Sequence, residues 1–195
     1  MKIIPARQQD APYIGKAVCY GIGEEICLDF AGPGGTVADV EKFFTALARR
    51  TDSQYSYLNA IVAVDDSRAG EPVMGVCVGY DGAELHRLRQ AFFDAMLAEK
   101  GRDMTGMADE TSPDEFYLDT LAVMPEYRGH GVGGALLMAL AERGSNMTGK
   151  PAALLVDYDN PKAEALYRRL GFRHKDDRPF AGVRMKHMVL ETPAE

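Results

Sequence analysis

Tyr117-Leu-Asp-Thr-Leu-Ala-Val-Met-Pro-Glu-Tyr-Arg-Gly-His-Gly-Val-Gly-Gly134 is the stretch that decides how the rest of the chain is read. It opens as a strand rich in β-branched and aromatic residues and stops at Pro125, which cannot donate to a ladder. Arg128 then leads a loop with glycines at 129, 131, 133 and 134, and Ala135-Leu-Leu-Met-Ala-Leu-Ala-Glu142 has the composition of a helix. A glycine-rich turn at a helix start aims several backbone N–H groups at one point, where the helix dipole also favours negative charge. The stretch predicts a phosphate site between a strand and a helix.

Working outward, the C-terminal half alternates between strand and helix. Phe116–Val123 reads as a strand, 133–143 as a helix, Ala152–Asp157 as a strand and 161–170 as a helix ended by Gly171. A further strand begins at 172–174, and Val183–Leu190 is the last. Toward the N-terminus, 2–6 is a short strand. Asp10 and Pro12 start a helix over 11–20 that Gly21 and Gly23 break, and Thr36 opens a second over 36–49. Residues 60–65 and 73–80 form a hairpin. This order predicts a mixed α/β sheet of six to seven strands flanked by helices, in a single domain spanning 1–195. Residues 81–114 stand apart. They read as an amphipathic helix over 83–99 followed by a long polar loop, and such loops are usually functional.

The bulk numbers agree with a globular enzyme-sized domain: 195 residues, 46% hydrophobic and 26% charged. No apolar run approaches a membrane span and the N-terminus lacks a signal-peptide pattern, so the expected compartment is the cytoplasm. A net charge of −7 argues against nonspecific nucleic-acid binding and suits a cationic substrate. Cys19, Cys27 and Cys77 have no metal or disulfide spacing, and His86, His130, His174 and His187 are scattered, so no metal is expected.

Several ligands suit the glycine loop. A Walker loop needs Lys-Ser/Thr after the last glycine, where Ala135-Leu136 stands. A dinucleotide fingerprint turns at once from its strand; here Met124-Pro-Glu-Tyr-Arg128 intervenes, although Asp157 is spaced like a ribose-binding acid. A turn that binds nothing would be a costly use of four glycines and an arginine.

Arg128-Gly-His-Gly-Val-Gly133 resembles the Arg/Gln-x-x-Gly-x-Gly/Ala signature of the GCN5-related N-acetyltransferase (GNAT) family. The preceding Leu-Ala-Val-x-Pro strand and the Asn160-Pro-x-Ala-x-x-Leu-Tyr-x-x-Leu-Gly-Phe172 block are similar to the family's in order and spacing. The resemblance implies the GNAT acyl-CoA N-acyltransferase fold, with 81–114 as a helical insertion between its third and fourth strands. It implies acetyl-CoA as co-substrate and an amine as acceptor. The amides of Arg128, Gly129, His130, Gly131, Val132 and Gly133 would hold the pyrophosphate, with Gly134 at the helix start. The backbone of Leu121, Ala122 and Val123 would pair with the pantetheine arm, and Asn160 would contact that arm or simply cap its helix. Tyr167 stands where the family often places a tyrosine that assists the departing thiolate; alternatively it packs on the sheet.

An acceptor amine must lose a proton before it attacks. Asp119 lies two residues before Leu121 and four before Val123, so strict alternation puts all three on one face, with Tyr117 beside them. An aspartate inside an apolar strand is costly unless paired or used, so Asp119 is either the base, directly or through water, or a structural carboxylate. Glu24 and Glu25 lie where family members often build an acceptor wall, though a solvated acidic turn is the favoured reading. Asp81, His86 and Glu115 are further polar groups within reach. The insertion reads as a lid or as a homodimer contact. Three functions stay open: small-molecule N-acetyltransferase, protein N-terminal or lysine acetyltransferase, and non-catalytic acyl-CoA-binding regulatory domain.

Overall fold

A computed structural model describes residues 1–180 and 182–190; the single-domain expectation over 1–195 extends beyond them. The elements are β1 (Lys2–Pro5), α1 (Ala11–Ala31), α2 (Val37–Ala48), β2 (Ala60–Val64), β3 (Val73–Asp81) and α3 (Leu85–Lys100), then β4 (Phe116–Val123), α4 (Val132–Thr148), β5 (Ala152–Asp157), α5 (Pro161–Arg169), β6 (Phe172–Phe180) and β7 (Val183–Leu190). They build one seven-stranded sheet in the order β1-β2-β3-β4-β5-β7-β6. Every neighbouring pair is antiparallel except β4–β5. No helix among the described residues is long and apolar enough to cross a membrane.

Local chemistry sets the helix ends. Thr36 and Asp39 form a reciprocal capping box at the start of α2: Asp39 N donates to Thr36 Oγ1 at 3.3 Å and Thr36 N to Asp39 Oδ2 at 3.1 Å. Gly21 stays helical, contrary to the expected break. The chain instead kinks at Gly23 (φ 84°, ψ 163°) and resumes as helix to Ala31. Helix α4 runs longer than the expected 133–143 and closes on left-handed Gly149. It crosses β4 closely because Gly144 lies directly against the Phe116 ring, where a Cβ would collide.

Two apolar layers sandwich the sheet. On one face, α4 and α5 cover Cys77, Phe116, Leu118, Leu154 and Phe172. On the other, α1 and α2 cover Val62, Val76 and Val78, and α3 joins them outside through Phe43, Phe44, Phe92 and Met96. The Phe44 and Phe92 rings stack 6.1 Å apart at 11°. Burying an aromatic or aliphatic side chain this fully contributes about 1.5–3 kcal/mol, so Phe92 and Met96 anchor the insertion helix to the rest of the fold.

Two irregularities in β4 position the site. Its ladder with β5 pairs only Phe116 with Ala152 and Tyr117 with Ala153, then ends. Beyond Tyr117, the β5-side edge of β4 has no partner strand among the described residues. Its register with β3 also slips: Val78 faces Thr120, but Gly79 faces Leu118. Asp119 is the extra residue of a β-bulge, and a bulge reverses the alternation that follows it. Leu121 and Val123 therefore pack toward α4, whereas Asp119 bonds to groups on the α1–α3 face. The expectation of one shared face fails because alternation assumes an unbroken ladder.

Candidate active site

At the glycine loop, Gly129 (φ 80°) and Gly131 (φ 79°) both adopt left-handed conformations that a side chain would strain. With these two turns, α4 starts at Val132. Among the described residues none of the amides from Gly129 to Gly134 donates to a protein group, while Ala135 N donates to Gly131 O at 3.1 Å. A row of unsatisfied donors at the positive end of a long helix is an anion cradle. Arg128 is set beside it. Its Nε donates to Val123 O at 3.1 Å and its guanidinium lies over the Tyr20 ring, 5.7 Å from the centroid.

That bond also fixes the polarity of the β4 edge. Met124 N donates across to Met74 O in the β3 direction, so Val123, one residue earlier, turns its N–H and C=O toward the open side, as does Leu121. Ala122 turns toward β3. Of the expected backbone group, Leu121 turns both of its polar groups and Val123 its N–H toward an added strand, the Val123 carbonyl already accepting from Arg128 Nε, and Ala122 faces β3 instead.

Tyr167, on α5, packs half-buried on the α4–α5 face beside Phe172, with ring centroids 6.1 Å apart. Burial, with the neighbouring Cys77 thiol adding to it, pushes its hydroxyl up to about 12, so it remains a proton donor. Its hydroxyl has no hydrogen-bond partner among the described residues. Asn160 caps α5, its Oδ1 accepting from Ala163 N at 3.2 Å.

On the opposite face the bulge delivers Asp119 into a polar cluster assembled from five segments. Tyr80 Oη (β3) lies 2.9 Å from Glu110 Oε1 and 3.2 Å from Asp119 Oδ2. Gln54 Nε2, ahead of β2, reaches the same two oxygens at 3.3 Å each. Thr120 Oγ1 donates to Asp119 Oδ1 at 2.7 Å. Arg89, on α3, donates through Nη2 to Glu110 Oε2 and through Nη1 to Asp109 Oδ1 at 3.1 Å. Arg89, Glu110 and Gln54 are each only 2% exposed, whereas Asp119 keeps part of its surface open. Gln54 Oε1 and Arg89 Nε lack partners.

Burial raises both carboxyls. Glu110 is pushed up to about 7 by burial and by the negative charge of Asp119, against the pull of Arg89. Asp119 also rises, through burial, against the hydrogen bonds from Thr120, Tyr80 and Gln54. Burial likewise keeps Tyr55, Tyr80 and Tyr117 protonated, their hydroxyls shifted well above the usual tyrosine value.

Glu115 belongs to a separate buried cluster. Its Oε2 lies 3.0 Å from His187 Nε2, and its Oε1 accepts from Thr111 Oγ1 at 2.8 Å, Ser112 N at 2.9 Å and Arg178 Nη1 at 2.9 Å. Burial acts to raise it, but these bonds hold it down at about 2. The other acidic and histidine candidates lie elsewhere. Glu24 and Glu25 are exposed just after the α1 kink; Asp81 pairs with Lys150, and exposed His86 with Asp109 at 3.2 Å. Among the described residues, no group of His, Cys, Asp or Glu is placed to hold a metal.

The sequence reading missed Gln54, Tyr80, Arg89 and Glu110. Arg89 left a signal: it shares the apolar stripe of Leu85, Phe92 and Met96, and a buried arginine demands a buried anion. Glu110, in an irregular loop, left none.

A family model described as "Acetyltransferase (GNAT) family" matches residues 42–172. A comparison with curated protein sequences gives no match. Among solved structures, one described as "acetyltransferase" is similar at 26% identity with a TM-score of 0.78, covering 98% of this chain and 99% of that one. An N-acetyltransferase from Staphylococcus aureus Mu50 is similar in fold at 22% identity, TM-score 0.78, covering 97% and 100%. The NatC complex bound to Gag peptide and CoA shares the fold at 15% identity, TM-score 0.57, covering 98% and 99%.

Proposed function

Because the chain belongs to the GNAT acetyltransferase family, we propose that it moves the acetyl group of acetyl-coenzyme A onto the primary amine of a small molecule, by direct attack in a ternary complex. The cradle of free amides at 129–134 fits a pyrophosphate, and the free edge at Leu121 and Val123 fits the amide-bearing arm of coenzyme A as an added strand. Asn160 and Tyr167 flank that arm from α5. Three free, buried cysteines accord with a reducing cytoplasmic setting and supply no nucleophile.

The insertion is the observation that supports a small acceptor. Helix α3 packs against α1 and α2 through Phe92 and Met96, and Arg102 Nη1 ties the following loop to Asp29 Oδ2 at 2.7 Å. In this reading α1, α2 and α3 together bound the acceptor face. A walled pocket suits a small amine better than a protein chain.

The thioester supplies the activated acyl carbon. Asp119, partly open and on the acceptor face, takes a proton from the incoming ammonium and frees its lone pair. Tyr167, on the donor face, offers a hydroxyl to the sulfur that leaves. The two residues stand on opposite faces of β4, at the place where its ladder with β5 has ended.

Coenzyme A release, measured over a panel of small amines and of peptides, tests this reading. Turnover of one or more small amines, lost in Asp119→Asn, is the expected result. Turnover confined to peptides would transfer the proposal to protein acetylation, and acetyl-CoA binding without turnover on any amine would leave only a binding domain.

A further inference from the structure

Asp119 does not stand alone, and its neighbour comes from the insertion. Glu110 Oε1 and Asp119 Oδ2 share the same two donors, Tyr80 Oη and Gln54 Nε2. Gln54 has an N–H for each carboxylate. The Tyr80 hydroxyl has one hydrogen and two carboxylate oxygens within reach. Tyr80 can hydrogen-bond to both oxygens at once only when one of them carries a hydrogen and donates it to the phenol oxygen while the phenol donates to the other. The geometry is complete for a pair holding one proton and deficient for a pair holding none.

We propose that Asp119 and Glu110 form a proton-sharing carboxylate pair joined through the Tyr80 hydroxyl, in which Glu110 acts as a positioning residue that makes Asp119 a base strong enough to deprotonate the acceptor ammonium. The inference rests on the reading of Asp119 as the base. In the step itself, an N–H bond of the ammonium breaks, its electron pair stays on nitrogen, and the proton forms an O–H bond on Asp119. The pair passes from two negative charges to one. Asp119–H then donates to Tyr80, and Tyr80 to Glu110, which is the arrangement the distances fit. After transfer the proton is lost to water from the partly open Asp119 side.

The groups around the pair fit this role. Arg89 on α3, itself shared with Asp109, keeps Glu110 anchored through Oε2 and leaves Oε1 to face Tyr80. Tyr55 and Tyr117 close the remaining sides as neutral phenols, Thr120 holds Asp119 Oδ1, and Cys77 lies behind it. Arg178, on β6, donates to the Glu110 carbonyl at 3.4 Å, and through it the pair adjoins the Glu115–His187 cluster. Like charges this close and this dry cannot both ionise at the ordinary carboxylate value, and the raised Glu110 and Asp119 carboxyls agree.

The test is the pH profile of kcat/KM at saturating acetyl-CoA, together with carbon NMR titration of labelled Asp and Glu carboxyls. The wild-type acid limb is expected near pH 7. Glu110→Gln removes the like charge, so the limb moves down by about one pH unit or more and the rate at neutral pH falls about tenfold. Glu110→Asp restores charge and keeps the limb. Tyr80→Phe keeps both charges but removes the donor shared by both carboxylates, and moves the limb up. That variant decides the matter if Glu110→Gln does not fold. An unmoved limb in Glu110→Gln, or in Tyr80→Phe, overturns the pair, as does a wild-type titration with no carboxyl changing near neutrality. Asp119→Asn with full activity would instead overturn the base reading itself, so the two failures are distinguishable.

Discussion

The proposed donor side is built from backbone: free amides of consecutive described residues at 129–134, a strand edge at Leu121 and Val123 that no described strand covers, and two glycines with positive φ. The proposed acceptor side is built from side chains: Gln54, Tyr80, Arg89, Glu110 and Asp119, drawn from segments up to 65 residues apart and closed into one buried cluster. The first can be specified by one short stretch of chain, because neighbours in sequence are neighbours in space. The second exists only after the sheet, the bulge and the insertion are all in place. Donor chemistry is common to the family and is locally encoded; acceptor chemistry is particular to the chain and depends on its tertiary assembly.

Breaking the acceptor side at its centre should have the largest effect. Asp119→Asn is expected to lower kcat by about 10² or more, while isothermal titration finds acetyl-CoA affinity within about twofold of wild type. A parallel loss of cofactor affinity would mean that the two sides are not separable. Tyr167→Phe should lower kcat about tenfold with little change in amine KM, and an unchanged kcat would reduce Tyr167 to packing. On the donor side, Gly131→Ala forces a side chain into a left-handed conformation, a strain of about 1–2 kcal/mol. Weakening of acetyl-CoA binding by about tenfold is expected, with kcat at saturation nearly preserved. The smallest effect is on stability. Carboxyls with raised folded values favour the fold at low pH and lose that contribution as pH rises through about 7. Asp119→Asn should therefore raise Tm by a few degrees (roughly 2–4 °C per kcal/mol) at pH 8.5, less at intermediate pH, and leave it nearly unchanged only at about pH 4, where the unfolded carboxyls are protonated as well. Equal shifts at both extremes would show that the pair is not repulsive.

The same contrast explains what could be read from sequence. The bounds of β4, β5 and β7 follow directly from strand composition and turn residues, and the tight turns before α4 from their glycines. Helix α1 was harder: Gly21 and Gly23 look alike in sequence, but Gly21 stays helical and only Gly23 has a positive φ. The bulge left a trace that the one-face reading missed: Leu118-Asp119-Thr120-Leu121 breaks the apolar–polar alternation, although the slip itself appears only against β3. Glu110, by contrast, was invisible. A carboxylate in a polar loop looks solvated until α3 brings Arg89 over it. Arg89 itself was legible, as a charge on an apolar stripe.

Helix α4 also acts as a lever. The phosphate cradle sits at one end of this rigid rod, and Gly144 bears on the Phe116 ring some 18 Å away at the helical rise of about 1.5 Å per residue. Any side chain at 144 must prise that end outward, and a stiff rod pivoting on the sheet swings its other tip. A missing methyl group at one end of the helix thus sets the aim of the amides at the other.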